Sequence, residues 1–170
     1  MLGVMEVVVR SASDVDAADV VRVLRCSRLR FLPYAPPVHS EAQTLQWVRS
    51  NLIPSGGMSV ATIDGQVVGV VAVSQADGAS WIDQLYVDPE YCGRGVGSQL
   101  LEVALSALPR PVRLYSFQQN DGARRFYERH GFSAIRHGDG SSNEEDCPDT
   151  LYERGVAGDA QRQEAAIRVG

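Results

Sequence analysis

A chain of 170 residues with 44% hydrophobic residues, mean hydropathy −0.14 and formal net charge −5 has the size and composition of one globular domain, with or without a short tail. The acidic balance argues against a general nucleic-acid binder, and no apolar run is long enough to span a bilayer. All sixteen basic residues are Arg, so the chain carries no side-chain amine.

In chain order, "MEVVVR" predicts a first strand. "SASDVDAADVVRVLRCSRLRFL" predicts a helix with Val15, Val20, Val23, Leu24 and Leu29 on its inner face and Ser11 or Ser13 as N-cap. Pro33, Pro36 and Pro37 make the next segment a loop. "EAQTLQWVRSNLI" reads as a second helix capped by Ser40. Two strand-like runs then flank Asp64-Gly65, a pair that tolerates positive φ and marks a hairpin. "ASWIDQLYVDP" is the next strand, closed by Asp88-Pro89. A glycine segment and a helix follow, then the strand "PVRLYSF" and a short helix, "NDGARRFYERHGF", stopped at Gly131. "FSAIRHGDG" and "DTLYERGV" form a last strand pair joined by the polar loop "SSNEEDCP". Residues 1–155 are read as one domain, and 156–170 as a loosely held helix or disordered tail. The start lacks a basic segment and a long apolar core, so a cytoplasmic protein is expected.

Cys26, Cys92 and Cys147, and His39, His130 and His137, are scattered without ligand spacing, so no metal is expected. The pattern that stands out is "CGRGVGSQLL". Gly93, Gly95 and Gly97 lie where a strand gives way to a helix. The first N–H groups of a helix have no partner within it and carry partial positive charge, and glycines let an anion approach them. The segment therefore reads as a phosphate cradle or, more simply, as a tight turn. A nucleotide P-loop would need a Lys, and the dinucleotide fingerprint would need a Gly where Ser98 stands and an earlier place in the chain.

With "LYVDPEY" ahead, "GSQLLEVA" behind, and Asn120 followed by "ARRFYERHGF", the chain resembles the GNAT superfamily of N-acetyltransferases over about Met5 to Arg154. The resemblance implies an α/β (α+β) fold with a mixed, mostly antiparallel sheet of about seven strands, splayed at the fourth and fifth strands and flanked by about four helices. It implies acetyl-CoA as acyl donor. Leu85, Tyr86 and Val87 would offer backbone groups to the pantetheine arm, and an amide near Tyr86 or Val87 would polarise the thioester carbonyl. Gly93, Arg94, Gly95, Val96, Gly97 and Ser98 would take the pyrophosphate. Asn120 would bond the arm, cap its helix, or both. Cys92 stands where the family has Gln or Arg, which removes one set of hydrogen bonds.

Acetyl transfer to an amine needs a held thioester, a neutral amine, a stabilised oxyanion and a proton for the leaving thiolate. Tyr127 matches the family's Tyr that faces the sulfur and is the expected acid, while Phe126 is expected in the core. Asp83 could attract or deprotonate the amine, or be an ordinary polar strand residue. Glu144 and Glu145 lie in a loop near the acceptor and read as solvated. Phe31, Tyr34 and Trp47 either wall the acceptor pocket or pack the first two helices. The expected partners are acetyl-CoA and an amine of a small molecule or peptide, with no nucleic acid and no membrane. A homodimer through an exposed strand edge is compatible with the pattern. The alternative to an enzyme is an acyl-CoA-binding sensor acting through a protein partner, and a weaker one is another donor such as succinyl-CoA.

Overall fold

A computed structural model describes residues 5–155; the tail expectation for 156–170 lies outside the described residues. The elements follow the order predicted above: β1 (Val7–Ser11), α1 (Ala17–Phe31), α2 (Glu41–Trp47), β2 (Met58–Ile63), β3 (Gln66–Ala76), β4 (Ala79–Val87), α3 (Val96–Ala107), β5 (Val112–Phe117), α4 (Asp121–Arg129), β6 (Ser133–Gly138) and β7 (Asp149–Arg154). They build one seven-stranded sheet in the order β1-β2-β3-β4-β5-β7-β6. Every pairing is antiparallel except β4 with β5, which is parallel and holds only Ser80 opposite Val112 and Trp81 opposite Arg113.

The local signals act largely as their chemistry dictates. The Ser40 hydroxyl accepts the Gln43 N–H at 3.2 Å, and the Gln43 side chain accepts the Ser40 N–H at 2.8 Å, a reciprocal cap on α2. Asp64 and Gly65 take φ of 51° and 78°, the positive pair that a two-residue hairpin needs. Asp77 and Gly78 repeat the device between β3 and β4. In α1 the expected inner face is only half right. Val20, Val23 and Leu24 are buried, whereas Val15 is 87% and Leu29 66% exposed. A 3₁₀ turn over Asp14–Asp16 takes Val15 out of the helical phase, and Leu29, nine residues on from Val20, falls half a turn off the buried stripe within α1 itself. Ser11 ends β1, so it is at Ser13 that the turn begins. The Asp16 carboxylate accepts the Ser13 N–H there at 2.8 Å.

Two apolar layers form, one on each face of the sheet. Leu100, Leu101 and Val96 of α3 pack with Val71, Ile82, Leu114 and Tyr152 on one face. Val20, Val23 and Leu24 of α1 pack with Val60 and Val70 on the other. Each fully buried aliphatic side chain contributes roughly 1.5–3 kcal/mol. Gly69 sets the approach of α3, since a Cβ there would lie 2.8 Å from Leu100 Cδ1 and 3.0 Å from Val96 Cγ1.

Candidate active site

Because β4 and β5 part after Trp81 and Arg113, while β4 runs on to Val87 and β5 to Phe117, the sheet opens into a cleft of about 1140 Å³. Its mouth on the β4 side is shaped by a bulge. Ile82 pairs with Val73 and Gln84 with Ala72, leaving Asp83 as the extra residue. A bulge re-aims the side chains beyond it. Here Leu85 and Val87 pack with the α3 layer while Tyr86 packs with the α1 layer.

At one end of the cleft the chain passes through the glycine loop. Gly93 and Gly95 take φ of 78° and 82°, and Gly95 is the N-cap of α3. A Cβ on either would meet no protein atom within 4 Å, so the space in front of the α3 N-terminus is open, as an anion cradle requires. Val96 anchors the turn by burying its side chain to 1% exposure. Gly97 and Ser98 continue the lining.

The far wall is α4. Asn120 Oδ1 accepts the Ala123 N–H at 3.2 Å, so the expected cap is formed and the carboxamide NH₂ is left as a donor beside the cleft. Tyr127 is 9% exposed and packs against Phe126, Phe132 and Tyr152 with centroids 5.3, 5.8 and 6.4 Å away. Burial, and secondarily the Tyr86 phenol, push its hydroxyl far above the ordinary phenol range, so it holds its proton at neutral pH. Desolvation also raises the Asp83 carboxyl, against the pull of the Ser74 hydroxyl.

Of the residues singled out from the sequence, Asp83, Leu85, Tyr86, Val87, Gly93, Gly95, Val96, Gly97, Ser98, Asn120 and Tyr127 all line this cleft. Arg94 does not. Its guanidinium lies over the Tyr91 ring at 5.3 Å, with Nη1 3.5 Å from Met5 Sδ. Phe31 lines the cleft; Trp47 and Tyr34 stand outside it, the latter edge-on to Phe117 at 6.1 Å. The two acidic loop residues separate. Glu144 is solvated and meets His39 Nε2 at 2.9 Å. Glu145 is 17% exposed, lines the cleft and accepts from Arg28 at 3.0 Å. Arg28 also reaches the Tyr86 hydroxyl and the Ala35 carbonyl, each at 3.4 Å. Sequence reasoning passed over Arg28, whose partner is 117 positions away. Cys92 is no activated thiol, since burial and Asp88 raise it rather than lower it. Among the described residues no three metal-binding side chains gather, and no helix is long and apolar enough to cross a membrane.

Comparison with known proteins agrees with this geometry. Residues 54–134 match the acetyltransferase (GNAT) domain. An uncharacterized N-acetyltransferase of Archaeoglobus fulgidus is 34% identical over 131 residues, covering 70% of this chain and 88% of that protein. The uncharacterized N-acetyltransferase YafP of Escherichia coli is 34% identical over 77 residues, 45% of this chain and 46% of that one. In three dimensions, the PaiA N-acetyltransferase of Thermoplasma acidophilum, solved with coenzyme A, superposes with a TM-score of 0.73 at 20% identity, over 89% of this chain and all of that one. Parallel β4 and β5 at the heart of a mixed seven-stranded sheet, the glycine turn into α3, and these relatives together place the chain in the GNAT family of N-acetyltransferases, as an acyltransferase.

Proposed function

We propose that the protein transfers the acetyl group of acetyl-CoA directly to a primary amine, of a small molecule or a peptide, with both substrates bound together. One observation carries the reading: a single cleft joins an open glycine cradle, a buried protonated Tyr and a carboxylate on the strand bulge. Acetyl-CoA supplies the activated acetyl group as a thioester. The Gly93–Ser98 amides hold its pyrophosphate, and the free edge of Leu85–Val87 holds its arm by backbone hydrogen bonds of the kind β5 would otherwise take. The absence of a Cβ at Gly93 and Gly95 supports this fit.

Tyr127 delivers its proton to the departing sulfur. Burial keeps the phenol neutral and also makes it the weaker acid, so the transfer relies on the same dry surroundings making a bare thiolate costly. Asp83 receives the amine proton, directly or through water, from the bulge that sets it on the cleft wall. The acceptor approaches past Phe31 and Glu145, at the end where α1 meets the β6–β7 loop. The test is incubation with acetyl-CoA and a panel of polyamines, aminoglycosides, amino acids and short peptides, read by mass spectrometry. A product gaining one acetyl group supports transfer. Binding of acetyl-CoA with no acetylated product from any class would favour a sensing module instead.

A further inference from the structure

One knot of hydrogen bonds lies outside the cleft but next to the glycine loop. Arg22 of α1 donates from Nη1 to Asp88 Oδ2 at 2.7 Å and from Nη2 to the Val67 carbonyl at 2.6 Å. The Asp88 side chain is 8% exposed. Its second oxygen accepts the Glu90 N–H at 3.0 Å. Its own N–H donates to the Val68 carbonyl at 2.8 Å, and its carbonyl accepts the Tyr91 N–H at 2.9 Å. All four polar groups of Asp88 are thus engaged. The residue ties together α1, β3 and the Pro89–Tyr91 turn, which delivers the chain to Gly93.

Beyond that turn the chain is next anchored at Val96, whose side chain is buried. Gly93 and Gly95 carry no side chain to pack, and glycine is the residue with the most backbone freedom to lose. An exposed ion pair would be worth little, but this carboxylate is desolvated, and removing its guanidinium would leave a buried charge unpaired. We infer that Arg22 is a positioning residue for the cofactor cradle: through Asp88 it holds the turn so that the amides of Gly93–Gly97 stand ready before the ligand arrives. The inference rests on the acetyl-CoA reading given above. Preorganisation of this kind acts on affinity, because ordering the loop no longer opposes binding.

The experiment is isothermal titration of CoA into wild type, Arg22→Ala, Arg22→Lys, Asp88→Asn and Arg25→Ala, with melting temperatures on the same samples. Arg25 lies on the same helix, beside Glu41 of α2 at 3.9 Å, and is not among the residues that line the cleft. Arg22→Ala and Asp88→Asn are expected to weaken CoA about tenfold, or about 1.4 kcal/mol. Arg22→Lys keeps the charge opposite Asp88 and should recover most of that loss. Arg25→Ala should change stability without changing affinity. CoA bound equally well by wild type and Arg22→Ala overturns the inference, as does an equal loss in Arg25→Ala. Should Arg22→Ala fail to fold, Arg22→Lys and Asp88→Asn carry the test, and unchanged affinity in Asp88→Asn overturns it. A wild type that binds no CoA removes the donor reading itself.

Discussion

Replacing Gly95 and Gly97 separately by Ala distinguishes a glycine required by the backbone from one required by the ligand. Gly95 sits at φ 82°, where an L residue costs roughly 1–2 kcal/mol. For a domain of this size that is roughly a 2–8 °C fall in melting temperature. Gly97 lies inside α3, and a Cβ there would stand 3.5 Å from Phe126 Cζ and 3.6 Å from Val87 Cγ2, ordinary contact distances. Ala is the better helix former by roughly 0.5–1 kcal/mol, so Gly97→Ala should melt at or slightly above wild type. Yet its methyl group narrows the passage between β4 and α4 where both wall residues line the cleft. CoA affinity should therefore fall about tenfold, about 1.4 kcal/mol, in a protein that is no less stable. Melting curves and titration calorimetry on the two variants give both quantities. A Gly97→Ala protein that keeps wild-type CoA affinity, or that loses several degrees of stability, would falsify the assignment of this glycine to the ligand.

Tyr127→Phe should cut acetyl transfer by about a hundredfold or more and leave CoA affinity unchanged, because only the proton donor is removed; equal turnover by the Phe variant in steady-state kinetics rules out the acid role. The Arg10 guanidinium, at 2.8 Å, and the Ser13 N–H hold the buried Asp16 carboxyl down to about 2. A depressed carboxylate stabilises the fold above its unfolded pKa near 3.8 and loses that contribution as pH falls toward 2. With Arg10 half exposed, this amounts to roughly 1–2 kcal/mol. Asp16→Asn should lower the melting temperature at pH 7 and flatten its decline between pH 4 and 2; parallel curves for both proteins would refute this. Gly140→Ala should disturb the β6–β7 loop, since φ is 92° and a Cβ would lie 2.7 Å from the Cys147 nitrogen. The expected result is slower transfer with CoA affinity intact, and unchanged transfer counts against this loop's part in the acceptor site.

Much of the fold was readable because it is written in short-range chemistry. Asp64-Gly65 dictates a hairpin, Ser40 with Gln43 caps a helix, and Gly131, at φ 88°, ends one. Much of the cleft's lining was readable for the same reason, since its residues cluster in "LYVDPEYCGRGVGS" and in the segment from Asn120 to Tyr127. What escaped depends on pairing across distance. Nothing in "WIDQLYV" says that Asp83 is a bulge, because the bulge exists only relative to Ala72 and Val73. Val15 misled because a helix phase was extended through a 3₁₀ turn, and Leu29 because its nine-residue spacing from Val20 puts it on the opposite side of an unbroken helix. Glu145 reads as solvated beside Glu144, and only Arg28, on a helix far upstream, draws it inward. Arg22 and Asp88 are likewise 66 positions apart.

The short contact between β4 and β5 also has a mechanical meaning. The sheet is two leaves, one of four strands and one of three, bound along a spine two residues long. Ser80 reinforces that spine by donating from its N–H to the Pro111 carbonyl at 2.9 Å and from its hydroxyl to Pro109 at 2.7 Å. Beyond that spine no ladder joins the leaves, and they are held together there by side chains, as where Leu100 and Leu101 pack with Ile82, Leu114 and Tyr152. Hydrogen exchange should show this in the free protein, with the inner edges of β4 and β5 beyond the spine exchanging faster than the same strands' outer edges.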